Sequence, residues 1–119
     1  MKNPNLTHIE KLVKEIWNTG DLHRSNEFFS QHFLFNGTAA NANDALQYQA
    51  RLRQNFDSLT FTIEDLFDSE DQKKISLLWF ASATHKTDKR PVEWFGLHIF
   101  YFNDAGQISA VWSKNIPPV

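Results

Sequence analysis

The chain of 119 residues contains no cysteine. That excludes disulfides, thiolate catalysis and cysteine-type zinc sites. Its 4 glycines are too few and too scattered for a glycine-rich phosphate loop. No apolar run reaches the roughly 18 residues needed to cross a bilayer. The start, M-K-N-P-N-L-T, lacks the apolar segment of a signal peptide, so a cytosolic protein without a membrane partner is expected. Neither sign of charge is in excess. A net charge of -2 with scattered Lys and Arg leaves no electrostatic footprint for nucleic acid. There is no H-x-x-x-H, no carboxylate pair on one helix face and no G-x-S-x-G, and His8, His23 and His32 stand at no metal-like spacing. Zinc and serine hydrolase readings have nothing to rest on, and neither a metal nor a cofactor is expected.

What is abundant is aromatic. The chain carries 11 Phe and 4 Trp, a heavy load for a length that builds one hydrophobic core and not two. Residues 1–119 are therefore read as a single domain whose rings fill a core or line a cavity.

The apolar period changes along the chain. Ile9, Leu12, Val13, Ile16 and Trp17 recur at helical spacing, which predicts a helix from Thr7 to Asn18 with a Thr7–Glu10 capping box and Gly20 as its stop. The segment D-L-H-R-S-N-E-F-F-S predicts a second short helix, F-L-F-N-G a short strand closed by a turn, and Asn43 to Phe56 a third helix. After Asp57 the period becomes two. Leu59, Phe61, Ile63 and Phe67 alternate with Thr60, Thr62, Glu64 and Asp68, as on a half-buried strand. Further strands are expected from Ile75 to about Lys86, from Val92 to Phe102, and after the N-D-A-G turn from Gln107 to about Asn115. Helices followed by long strands on short turns imply α+β, a curved antiparallel sheet wrapped on three helices.

Three residues stand out as able to do chemistry. Asp65 falls on the apolar parity of its strand, so it is either a carboxylate held in the interior or a residue that a bulge turns to solvent. His98 lies in W-F-G-L-H-I-F-Y-F on the face of Trp94, Gly96, Phe100 and Phe102. Its imidazole suits proton transfer at neutral pH, but an isolated strand histidine is as readily a hydrogen-bonded core residue. His85, near the end of its strand, sits either at a cavity mouth or in solvent. The candidate ligand contacts are the rings of Trp17, Trp79, Trp94, Trp112 and Phe100, together with Ser113. The second face of the Val92 to Phe102 strand is also apolar, which suggests a homodimer through the outer sheet face.

Five strings in order, W-N-T-G-D-L, L-T-F-T-I-E-D-L, W-F-A-S-A-T-H, V-E-W-F-G-L-H-I-F and G-Q-I-S-A-V-W, resemble the SnoaL-like polyketide cyclase or ester cyclase branch of the nuclear transport factor 2-like superfamily. The resemblance implies a cone-shaped α+β barrel around a deep apolar pocket, usually homodimeric. It also implies a histidine at the position of His98, paired in the cyclases with an acidic residue on the last strand for an intramolecular aldol closure. At the usual acidic positions this chain carries Ala110, Ser113 and Ile116. A serine supplies a hydrogen bond but no base at neutral pH. The expected function is a small-molecule-binding domain for an apolar ligand. The alternatives are a cyclase, isomerase or hydratase in which His98 is acid or base with Asp65 or His85 as helper, and a non-catalytic dimeric protein-interaction domain.

Overall fold

In a computed structural model that describes residues 3–115, helix α1 (Pro4–Lys11) begins before the expected Thr7. Asn3 supplies the cap, its side chain accepting from the Asn5 amide, and Pro4 brings a preset φ to the first turn. The Thr7–Glu10 pair thus lies inside the helix. From Leu12 to Trp17 the helix continues with wider, π-type turns. It stops where Gly20, at φ +75, donates to the Ile16 carbonyl. Asn18 then clamps the helix end to the sheet, accepting from Phe61 N and donating to Phe61 O at 2.6 and 2.9 Å.

The expected second helix is a short 3₁₀ segment, Leu22–Glu27, so two α-helices form where three were read. Strand β1 (Phe29–Phe35) turns through Asn36 and Gly37, both at positive φ, into β2 (Thr38–Asn41). Positive φ at both central residues is the hairpin turn that Asn-Gly favours. Strand β2 escaped sequence reading because T-A-A-N shows no alternation. Helix α2 (Ala42–Asn55) opens on a capping box made by Asn41 and Asp44. Strands β3 (Phe56–Asp68), β4 (Lys74–His85), β5 (Pro91–Phe102) and β6 (Ile108–Asn115) complete a sheet of order β2-β1-β6-β5-β4-β3.

This sheet is mixed, not wholly antiparallel as expected, because β1 pairs parallel to β6. No local pattern announces that pairing, since most of the chain lies between the two strands. The register sorts the remaining pairs into two faces. Leu66, Leu77, His98 and Ser113 lie in one row, facing inward. Phe67, Ser76, Ile99 and Trp112 form the next row, facing outward. The inner rows and the Leu12–Trp17 turns make one buried cluster. Among the described residues, Phe67, Phe95, Leu97 and Trp112 of the outer face, with Leu34 on β1, are the exposed large apolar side chains.

Strand β3 carries a bulge that decides the fate of Asp65. Ile63 pairs with Trp79, but Asp65 pairs with Leu78, leaving Glu64 as the extra residue. From there the parity reverses. Leu66 turns inward, while Phe67 and Asp65 turn out.

Candidate functional site

A cavity of about 330 Å³ opens between the inner face of the sheet and the helices. Its walls are apolar. Leu12, Ile16 and Trp17 come from the π-type turns, Phe29 and Phe33 from β1, and Phe100 and Val111 from β5 and β6. The Leu12–Trp17 segment can present three residues to one cavity because its turns are wider than those of an α-helix. Arg53 of α2 donates to the Trp17 carbonyl and so ties α2 to this wall. Exposed Thr38, Ala39, Asp44 and Arg51 mark where the cavity reaches solvent.

Among the described residues three polar side chains are buried: Asn3, Gln49 and His98. Asn3 is accounted for, donating to Asp68 and to the Gln72 carbonyl beside its helix cap. The other two line the cavity.

His98 is 7% exposed and sits among rings, stacked on Phe100 at 5.4 Å with the edge of Trp17 at 5.2 Å. Its Nδ1 accepts from Trp79 Nε1 at 2.8 Å. Indole can only donate, so the neutral imidazole carries its proton on Nε2. Burial without a nearby anion penalises the imidazolium and pushes the pKa down to about 3. At neutral pH His98 is therefore a hydrogen-bond donor through Nε2–H and has no basicity to offer.

Gln49 is 6% exposed and was not singled out from the sequence. Its Oε1 is buried with no hydrogen-bond partner. Its only sequence signal was a polar residue one position after Tyr48 in an amphipathic helix, and that pattern also describes an ordinary solvent-facing glutamine.

The other expected site residues part company with the cavity. Asp65 is exposed on the outer face, its carboxylate accepting from the adjacent Leu66 amide, because the β3 bulge reversed the parity. His85, at the end of β4, packs edge-on against Phe56 and stands 3.8 Å from Asp88, so it does not line the cavity. Trp79 and Trp94 are buried but pack on each other and on Phe61 and Phe56 as core. Trp79 does not line the cavity but supports its wall, through its hydrogen bond to His98 and its edge contact with Trp17. Trp112 is 50% exposed, because it falls in the outer row with Ile99. Ser113 lies opposite His98 in the inner row but outside the cavity lining. Trp17, Phe100 and His98 are thus the expected residues that meet there. Ala110 pairs with Tyr101 in an outward row, and Ile116 lies outside the described residues.

Among the described residues no group of three His, Asp or Glu could hold a metal ion, and no helix is long and apolar enough to cross a membrane.

Comparison with solved structures returns the same architecture. A SnoaL-like polyketide cyclase from Agrobacterium tumefaciens superposes with a TM-score of 0.81 at 17% identity, over 98% of this chain and 93% of that one. IdmH from Streptomyces antibioticus gives 0.81 at 20% identity, over 93% and 91%. PrhC from Penicillium brasilianum gives 0.75 at 17%, over 96% and 82%. At such identities the likeness is one of fold. No curated protein matches the sequence. The SnoaL-like polyketide cyclase family matches residues 7–114, nearly the whole length, and the chain belongs to that family.

Proposed function

We propose that this SnoaL-like domain binds a small, largely apolar molecule in the cavity between sheet and helices, with neutral His98 donating a hydrogen bond to it. The observation that carries this reading is the placement of both buried polar groups that no cap or turn explains, Gln49 and His98, on the wall of one aromatic cavity. A few placed polar groups in an apolar concavity are the usual make-up of a ligand site.

The acid–base alternative has less support. A base must hold its proton near the working pH, whereas the His98 ring lies well below it, and neither Asp65 nor His85 stands beside it. A catalytic role compatible with the geometry is polarisation of a carbonyl by Nε2–H. Addition of small aromatic ketones to the ¹⁵N-labelled protein is expected to shift the amide signals of Ile16, Phe100 and Val111. Shifts confined to the outer-face residues would sink the proposal.

We also propose that the outer face pairs with a second copy of the chain. Phe95 and Leu97 lie in an apolar trough with Leu78 and Phe80, flanked by Glu93 and Lys114. Charges of both signs beside one apolar patch make it self-complementary about a two-fold axis. Sedimentation should report a dimer for the native protein and a monomer for Leu97→Glu. A monomeric native protein at micromolar concentration refutes this.

A further inference from the structure

We propose that β2 and α2 form a lid that swings off the cavity, and that Gln49, whose buried acceptor has no partner while the lid is shut, keeps the shut state only weakly favoured. What the lid admits rests on the ligand-binding reading above, whereas the motion itself does not.

The mouth of the cavity belongs to one continuous segment. The exposed residues of the lining, Thr38, Ala39, Asp44 and Arg51, all come from β2 and α2, whereas the lining from the π-type turns and from β1, β5 and β6 is buried or half-buried. Widening the mouth therefore means moving this segment. It is held unequally at its two ends. It starts from the Asn36–Gly37 turn, and β2 is an edge strand of four residues that pairs with β1 alone. At the far end Arg53 donates to the Trp17 carbonyl, the Asn55 carbonyl accepts from Lys86 N, and Phe56 is buried against Trp94. The last turn of α2 is the pivot, and β2 with the start of α2 is the end that moves.

The way α2 docks favours such motion. Helices usually dock by burying an apolar stripe. Of the described side chains of α2 only Gln49 is buried, while Tyr48, Ala50, Leu52 and Arg53 are half-buried and the others exposed. Gln49 Oε1 is sealed from water and from the cavity and accepts no hydrogen bond, and one turn further on the same face Arg53 Nε is buried without a partner. An unmet buried acceptor is a penalty that water removes. Swinging α2 outward admits that water to Oε1, so opening recovers what closing costs. Mobile covers over binding sites are drawn from such weakly held elements.

The test uses the absence of cysteine from the chain, which makes a single introduced thiol a clean reporter. Val111→Cys places one on the cavity wall, where Val111 is 2% exposed, and Ala81→Cys places one in the sheet core away from the cavity. At limiting concentration of a thiol reagent, the labelling rate follows the fraction of time each site stands open. Val111→Cys should label about a hundredfold faster than Ala81→Cys and respond far less to urea, because lid opening exposes much less surface than unfolding. Adding Gln49→Met, which keeps the length and removes the acceptor, should slow Val111→Cys labelling about tenfold and leave Ala81→Cys labelling no faster. Gln49→Glu, which buries a charge in the shut state, should speed it about tenfold. Two results overturn the lid. One is labelling of Val111→Cys at the rate and urea dependence of Ala81→Cys, which means that only global unfolding exposes the wall. The other is a rate indifferent to Gln49→Met, which means entry through a fixed mouth. Acetophenone, as a probe guest, should protect Val111→Cys. If labelling follows Gln49 but ignores acetophenone and other small aromatic ketones, the lid stands and the ligand-binding reading falls.

Discussion

Phe100→Ala is expected to lower the unfolding free energy by about 3–5 kcal/mol, the range for removing a buried phenylalanine ring. Phe100 is 1% exposed, stacks on His98 and forms part of the cavity wall. Its neighbours cannot close over the loss. On one side of it the cavity is already open, and on the other Ile75 and Val111 are held in register by the sheet. A typical domain has only about 5–15 kcal/mol in total, so this one substitution removes a large share. Urea denaturation monitored by tryptophan fluorescence measures it. Phe95, on the same strand, provides the contrast. It is 67% exposed on the opposite face, so Phe95→Ala should change the stability of the isolated chain by no more than about 0.5 kcal/mol and act on self-association instead. A Phe100→Ala loss below about 1 kcal/mol would show that the ring is not packed as described.

Lowering the pH from 7 to 5 is expected to cost about 2 kcal/mol of stability through His98 alone. The sign follows from proton counting. Unfolded, the ring takes up a proton near pH 6.5, whereas folded it does so only near pH 3. Between those values the unfolded chain holds more protons than the native one, so stability is fully present above about pH 6.5 and declines as the pH falls toward 3. His8, half-buried against Phe28 and Phe102, is shifted in the same direction by desolvation and adds to the slope. The His98→Gln protein should be less stable at pH 7 but flatter in its pH dependence, the difference in slope being about 2 kcal/mol over this interval. Denaturant midpoints at both pH values decide it. Parallel curves for the two proteins would mean that His98 titrates normally in the folded state. In the native protein the ring carbon protons should also hold their NMR positions down to pH 5.

The contribution of the amino-acid sequence is clearest where one element answers to one local pattern. Alternation from Val92 to Phe102 was enough to place Phe100 and His98 on one face and Phe95 and Leu97 on the other, because successive side chains of a strand point to opposite sides. The same holds for the Ile9 to Trp17 stripe, for the Asn-Gly and N-D-A-G turns, and for the α+β class. Within these limits the inward placement of Trp17, Phe100 and His98, which line one cavity, was legible. The reading failed wherever a distant partner set the outcome. Asp65 shares the parity of Leu59 and Phe61 in the sequence, yet one extra residue opposite β4 turns it to water. The pairing of β1 with β6, and with it the mixed sheet, joins segments that share no local signal. Gln49 looks like any polar residue of a helix until α2 is laid across the sheet, when packing buries its amide and leaves Oε1 unpaired. The protonation state of His98 belongs to the same group. Spacing supplied an imidazole with an ordinary pKa, and the hydrogen bond from Trp79 together with the loss of water around the ring made it a neutral donor. Periodicity records which side of an element faces inward, whereas burial and hydrogen bonding depend on what the rest of the chain brings to that side.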